Sequence, residues 1–287
     1  MRSDIETNGS VPPGPPKSGF RMTLPNSPPQ WKSVKVAIHL AIAVALAFLG
    51  AWFLPNGYSL AAVIVMELYM VAVIGKGKMN HLLGILINER NLMSLSRLQI
   101  TLWTVLLTSS YFTILIENLA NNPGEPLQLQ FDSTMLALMG ISSASAFLSP
   151  MIQAAKKNRE IDGTLKAQLV QGAAKCYNKT SEEIEGSMQG TLYANPSYKD
   201  AQFSDIFEGE EMQNHAYIDV AKVQMFLFTI MALLIYGATI FTMLMTHESG
   251  QITSFPELPE AFIGLIGISN GGYLTSKMIN FTKSTPI

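Results

Sequence analysis

The stretch RLQITLWT, residues 97–104, has a close counterpart 125 residues later in KVQMFLFT, residues 222–229. Each begins with a basic residue, carries a glutamine two positions on, and continues into an apolar run with an aromatic–threonine pair. A second matched pair follows, LALMGISSAS ending at residue 145 and IGLIGISNGG ending at residue 272. The common order and spacing of the two pairs indicate a duplicated helical hairpin.

Long apolar stretches dominate the chain, in which only 14% of the residues are charged. Six of them have or approach the length that crosses a bilayer, and none shows the polar face of a soluble helix. They cover residues 34–54, 58–74, 98–118, 134–152, 221–246 and 261–280, of which the second is the shortest. The sequence predicts an all-α fold, a polytopic membrane bundle of six transmembrane helices. The bundle contains two parallel-repeat helical hairpins. The repeats are parallel because both copies enter the membrane from the same side.

The distribution of basic residues predicts the orientation. Lysine and arginine are confined to the N-terminal region, 75–97, 153–222 and the end of the chain, whereas 55–57, 119–133 and 247–260 contain neither. Loops rich in lysine and arginine stay in the cytoplasm. The protein is therefore expected in the cell (inner or plasma) membrane, with both termini and the segment 153–220 on the cytoplasmic side. The predicted parts are a disordered Pro-rich tail (1–33), an N-terminal hairpin (34–75), repeat hairpin 1 (98–152), a small cytoplasmic insert (153–220) and repeat hairpin 2 (221–280).

Glu67 lies near the middle of the second stretch. An ionisable side chain at that depth costs about 3 kcal/mol or more and is expected to face protein or water. Glu67 is therefore a candidate proton- or cation-binding carboxylate; alternatively, it is a protonated side chain that bonds a neighbouring helix, or it faces lipid in a locally thinned bilayer. His39 lies in the first stretch and can approach Glu67 across the short connection 55–57, or it can serve as an interfacial anchor.

The matched segments supply the other candidate residues. Gln99 and Gln224 are placed to form interhelical hydrogen bonds near the cytoplasmic ends of their spans. Ser142, Ser269 and Asn270 lie near the midplane, where hydroxyl and amide groups can line a water-filled path or bind a cation. The sequence Asn-Gly-Gly at 270–272 predicts a break in the last helix.

Ordinary helix packing is the alternative explanation for the two GIS segments. Gly140-X3-Ala144 and Gly267-X3-Gly271 have the small-X3-small spacing that brings transmembrane helices close together.

The insert contains FSDIFEGEEMQNHAYID, residues 203–219. Its carboxylates can gather a divalent cation, although the spacing of an EF-hand is absent and most acidic runs are solvated surface. They are Asp205, Glu208, Glu210, Glu211 and Asp219. The apolar side chains among them, Phe203, Ile206 and Phe207, are expected to dock the insert on the membrane surface or on the fifth span.

Enzyme signatures are missing. An intramembrane serine protease of the rhomboid type needs Gly-X-Ser-Gly and a histidine in its last span, whereas Ser143 follows Ser142 and the histidines stand at 39, 81, 215 and 247. There is no His-Glu-X-X-His pattern for zinc. We expect no catalytic residue, no metal and no cofactor. A net charge of −2 gives no indication of nucleic acid as a partner.

NERNLMSLSRLQITLWT, residues 88–104, is similar to a segment of a family of uncharacterised bacterial integral membrane proteins. The segments SLSRLQ…LWT and LMGIS carry the resemblance, which covers the four repeat spans and the loop before them. It implies a bacterial, multi-pass membrane protein and brings no activity, substrate or site residue.

Two functional hypotheses follow. In the first, the chain is a structural or regulatory membrane component that forms a homo-oligomer or holds a protein partner through the insert. In the second, it is an ion or proton channel or a transporter subunit that uses Glu67 and the paired GIS segments. The hypotheses differ in whether Glu67, Ser142 and Ser269 converge on one polar cavity.

Overall fold

A computed structural model describes residues 31–121, 127–131, 133–247 and 250–286. About 70% of the described residues are helical. Eight α-helices follow one another, with 3-10 turns at Gly84–Leu86, Tyr198–Asp200 and Phe203–Phe207. The helices are α1 (Ser33–Phe53), α2 (Gly57–Met79), α3 (Leu95–Asn121), α4 (Ser133–Lys157), α5 (Gly163–Tyr177), α6 (Ser181–Gly186), α7 (Val220–Thr246) and α8 (Glu260–Met278). The predicted disordered tail lies outside the described residues up to residue 30.

Five of these helices, α1, α2, α3, α4 and α7, are long and apolar enough to cross a membrane. The prediction of a helical membrane protein is thus confirmed in its coarse form. The second span was underestimated, because α2 has 23 residues and continues to Met79 instead of ending near residue 74. The sixth predicted span corresponds to α8, which has 19 residues and is not one of these five helices. Its crossing of the membrane stays a prediction.

Small side chains hold the N-terminal hairpin together. Ala43, Ala47 and Ala51 recur every fourth residue on α1 and are buried against the rest of the bundle. Such a stripe lets two helix backbones approach closely, as small residues do in transmembrane helices. The beginning of α2 depends on a glycine for the same reason, since a Cβ at Gly57 would lie 2.7 Å from the ring of Phe241 on α7.

The remaining four long helices pack pairwise, α3 against α4 and α7, and α8 against α4 and α7. Their shared apolar core includes Trp103, Ile114, Leu138, Tyr236 and Ile240. At the end of the bundle away from α5 and α6, α3 is joined to the loop before α8. The amide of Asn118 donates to the carbonyl oxygen of Ile252 and accepts from its backbone N–H, both at 2.8 Å. This pairing of hairpins is the arrangement that a two-fold repeat would produce.

Equivalent positions of the two matched segments nevertheless have different surroundings. Gln99 is buried whereas Gln224 is exposed, and Thr104 is exposed whereas Thr229 is buried. The matched sequences therefore do not create two identical environments, and the repeat stays a prediction.

Residues 158–219, which we call the cap, form a small layer over one end of the bundle. The cap contains α5, α6 and two short strands, Met188–Gln189 (β2) and Leu192–Tyr193 (β3), which pair antiparallel. Its own core holds Ile161, Val170, Ile184 and Tyr193. The C-terminal segment 279–286, the strap, crosses the cap and ends in a strand, Ser284–Pro286 (β4), which pairs antiparallel with Arg159–Ile161 (β1).

The cap is also fixed to α7 by aromatic side chains. Phe207 meets Phe226 edge-on with ring centroids 5.1 Å apart, and Phe203 does so at 6.4 Å. Ile206 is fully buried beside Met225. Of the two docking surfaces predicted for these apolar residues, the structure therefore places them against the fifth span.

Candidate functional site

A buried cluster of charged side chains lies where the cap meets the bundle, and Glu210 is at its centre. Glu210 Oε1 is 2.5 Å from Lys277 Nζ, 3.4 Å from Lys222 Nζ and 3.7 Å from Arg90 Nη2. All four side chains are at least nine-tenths buried. Burial alone would raise the pKa of Glu210, but the three cations hold it well below its usual value. The carboxylate is therefore ionised and fully paired.

These cations come from separate parts of the chain. Lys222 belongs to the first turn of α7, Lys277 to the last turn of α8, and Arg90 to the segment that leads into α3. Arg90 also donates to the carbonyl oxygens of Tyr193 and Glu210, at 3.0 and 3.2 Å. One carboxylate of the cap thus connects three regions of the bundle that are distant in sequence.

Glu211 forms the second half of the cluster. Its Oε1 accepts from Lys156 Nζ at 2.5 Å, and its Oε2 accepts from the backbone N–H of Thr282 at 2.6 Å. Lys156 lies in the last turn of α4 and also donates to the carbonyl of Ile279 at 2.7 Å. Glu211 therefore ties α4, the cap and the strap to one another, next to the three regions held by Glu210.

The backbone at Gly209 makes this arrangement possible. A Cβ at Gly209 would lie 2.3 Å from the carbonyl oxygen of Asn214, so any other residue would open the turn. His215 closes it from within, because its Nδ1 lies 3.1 Å from the carbonyl oxygen of Gly209 and its ring stacks on Tyr193. Burial lowers the pKa of His215 to about 4, so the ring is neutral at physiological pH.

A line of polar contacts continues from the cluster along the α4–α8 contact; we call it the polar seam. Gln153 donates to Glu210 at 3.2 Å, and Lys277 donates to Ser149. Ser145 then donates to Asn270 Oδ1 at 2.7 Å. The seam is buried along its length and follows the 3–4 residue spacing of one face of α4, on which Ser142, Ser145, Ser149, Gln153 and Lys156 lie.

The seam contains some of the predicted site residues. Ser142 is reached by Gln99 Nε2 at 3.5 Å, and Asn270 bonds Ser145. Ser269 is buried, and its hydroxyl has no hydrogen-bond partner among the described residues. Gln224 does not take part, because its side chain is exposed on α7.

Two detailed expectations for the last span are wrong. The helix does not break at residues 270–272: α8 is continuous from Glu260 to Met278, and Asn270 Nδ2 donates to the carbonyl of Ile266 one turn earlier. The glycines do not form a close helix contact either. A Cβ at Gly140 or Gly271 would have open space around it, and one at Gly267 would meet Ile141 at an ordinary 3.6 Å. Serines and larger polar side chains rather than glycines mark this interface.

Glu67 and His39 lie elsewhere and are not brought together. Glu67 Oε2 is 2.6 Å from the hydroxyl oxygen of Thr108 on α3. His39 Nδ1 lies 2.7 Å from the hydroxyl oxygen of Tyr69, and its ring is 5.2 Å from that of Trp31. Thr108 is nine residues from Gln99, which is two and a half helical turns, so the two side chains lie on opposite sides of α3. The helix α3 therefore separates Glu67 from the polar seam.

The acidic residues of the insert are used for pairing rather than gathered around an open centre. Asp205 accepts from the backbone of Met93 and Gln202, and burial raises its pKa; Asp219 accepts from the first turn of α7. Among the described residues, no group of three or more histidine, cysteine or acidic side chains is placed to hold a metal ion. A cavity of about 10 Å³ beside Asp205 and Glu210 has room for about one water molecule.

Sequence reasoning missed the four cations of the cluster, Arg90, Lys156, Lys222 and Lys277. They were used only as basic residues that predict the orientation, since basic residues at helix ends usually reach the interface. One signal was present, the polar residues at helical spacing on α4 that end in Lys156.

Comparison of the chain with family models, curated proteins and solved structures gives no match.

Proposed function

We propose that this chain is a structural or regulatory membrane component, without enzymatic activity, whose cap presents a fixed surface to a protein partner or to a second copy of the chain. The observation that carries the proposal is the fully paired charge cluster, in which Glu210 and Glu211 join the cap to four parts of the bundle. In this proposal the protein lies in a bacterial cell membrane with both termini and the cap in the cytoplasm, as the basic residues predict.

The energetics of the cluster support a static role. A transport cycle in which one hairpin rocks against the other would have to separate Lys277 on α8 or Lys222 on α7 from Glu210. Each separation would leave a buried charge without its partner, which costs about 3–5 kcal/mol. A cluster of this kind favours one arrangement of the helix ends over alternatives.

The positions of Glu67 and the GIS segments argue against the channel hypothesis as first formulated. A single path would have to include Glu67, Ser142 and Ser269, but Glu67 bonds Thr108 on the opposite side of α3 from the Gln99–Ser142 contact. Ser142 and Ser269 are packed inside the bundle, each at most 3% exposed. The three residues therefore do not share one cavity.

Flux measurement tests the proposal. We expect liposomes that contain the purified full-length protein to pass protons, sodium, potassium and chloride no faster than protein-free liposomes. A Ser142→Ala variant, reconstituted at the same density, is the matched control. Flux that exceeds the protein-free rate in the wild type and falls in Ser142→Ala would contradict a static role and would restore the channel hypothesis.

A further inference from the structure

Glu67 is placed on the outer surface of the bundle at mid-depth, in a patch of polar side chains. It is the eleventh of the 23 residues of α2 and is partly exposed. Its neighbours on α3, Thr104 and Thr108, are both exposed and lie near the middle of that helix. In a membrane this patch faces lipid, where an ionised carboxylate is strongly disfavoured unless it is paired.

The hydrogen bonds at Thr108 indicate where the proton is. Its hydroxyl oxygen lies 2.6 Å from Glu67 Oε2 and 2.6 Å from the carbonyl oxygen of Thr104. Both separations are hydrogen-bond lengths, and each needs a hydrogen, but a threonine hydroxyl has only one to donate. The carbonyl of Thr104 has none, so the hydroxyl hydrogen of Thr108 goes to that carbonyl. The contact with Glu67 is then complete only if Glu67 carries a proton and donates it.

Among the residues that the structure describes, no charged side chain pairs with Glu67 in place of that proton. The helices packed against α2 carry their charged or basic groups toward their ends, and several of these groups already have partners. His39 bonds Tyr69, Arg97 pairs with Glu89, and Lys222 belongs to the charge cluster. Two further charged residues of these helices also have other partners: Lys35 stacks over Trp31, and Glu117 accepts from Asn121.

We propose that Glu67, the hydroxyl of Thr108 and the carbonyl of Thr104 form a proton-binding site that opens to the lipid phase on the α2–α3 face. The protonated acid donates to Thr108, and Thr108 donates to Thr104, so the whole patch is uncharged. The site is independent of the polar seam and of the static role proposed for the cap. Its ligand is a proton, and its chemical signature is a carboxylic acid that hydrophobic reagents reach from the bilayer.

Labelling with dicyclohexylcarbodiimide tests the site. The reagent partitions into lipid, and the O–H of a protonated carboxyl adds across its C=N bond: the proton goes to nitrogen and the carboxylate oxygen to carbon. The acylisourea that forms rearranges to a stable acylurea, which peptide mass spectrometry locates. We expect Glu67 of the full-length protein in liposomes to be labelled, with a rate that falls roughly tenfold for each pH unit above the midpoint of its titration. A water-soluble carbodiimide should label it far more slowly.

Two variants make the test specific. Thr108→Val removes a hydroxyl that can also turn to donate to the ionised carboxylate, so its loss should shift half-maximal labelling to higher pH. Thr239→Val, at an exposed threonine of α7 that bonds its own helix, should leave the profile unchanged. Absence of label on Glu67, a rate independent of pH, protection by sodium ions, or an unchanged or lower pH of half-maximal labelling in Thr108→Val would each overturn the proposal. None of these results depends on flux, so the role proposed for the cap is judged separately.

Discussion

Replacement of Glu210 by glutamine should be among the most destabilising single changes in the protein. Glu210→Gln keeps the size of the side chain but removes the carboxylate that pairs with Arg90, Lys222 and Lys277, with nearest distances of 3.7, 3.4 and 2.5 Å. Each of these cations is at most 5% exposed, so bulk water cannot solvate them in place of the lost partner. Breaking a buried ion pair on one side costs about 3–5 kcal/mol, and we expect a loss of that size in the free energy of unfolding.

A surface ion pair of the same chain provides the control. Glu89 lies 2.6 Å from Arg97, but their side chains are 63% and 38% exposed. Glu89→Gln should therefore cost no more than about 1 kcal/mol. Both variants can be compared with the wild type by reversible denaturation in the same detergent, with helicity as the signal. The double variant Glu210→Gln/Lys277→Met should lose less than the sum of the two single variants, because it removes an unpaired cation.

The reasoning would be refuted if Glu210→Gln cost less than about 1 kcal/mol, or no more than Glu89→Gln. Either result would mean that the cations of the cluster reach water or other partners once the carboxylate is gone.

Two further predictions concern the cap and the opposite end of the bundle. The pKa of His215 falls to about 4 on folding from about 6.5, so the unfolded chain binds the extra proton between these values. The contribution of His215 to the free energy of unfolding is therefore fully present above about pH 6.5, and about 3 kcal/mol of it is lost as the pH falls toward 4. His215→Gln should flatten this part of a stability–pH profile; an unchanged slope would assign it to other groups. At the other end, Asn118→Ala removes both bonds to the backbone of Ile252 and should cost about 2 kcal/mol. Asn121→Ala, which loses only an exposed contact with Glu117, should cost much less in the same denaturation assay; equal losses would show that the bonds to Ile252 contribute little.

The helices were predictable because hydrophobicity alone determines which segments can lie in a bilayer. The five apolar stretches from α1 to α7 match observed helices, and the ends differ by a few residues where polar residues extend a helix beyond the lipid. The extension of α2 through Gly-Lys-Gly-Lys to Met79 is an example. Lysines on the last turn continue the helix without continuing the hydropathy signal.

The charge cluster was not predictable from local sequence because its members come from five separate segments. Lys156, Lys222 and Lys277 each look like ordinary helix-end lysines, and Glu210 looks like one of several acidic surface residues. Only the folding of the cap over the helix ends brings them together and excludes water. The polar seam was partly predictable: Ser142 and Asn270 were identified, but the spacing that leads from Ser142 to Lys156 was not followed to its end.

The central claim is that the cap is fixed to the bundle in one arrangement, and a distance measurement between the two tests it most directly. Spin labels on cysteines at Gln168, on the exposed face of α5, and at Asn121, at the far end of α3, can be introduced into a Cys176→Ser background. Pulsed electron paramagnetic resonance in lipid bilayers should give one narrow distance distribution for this protein and a broader one when Glu210→Gln is added. Two well-separated distances in the protein with Glu210 intact would contradict the claim.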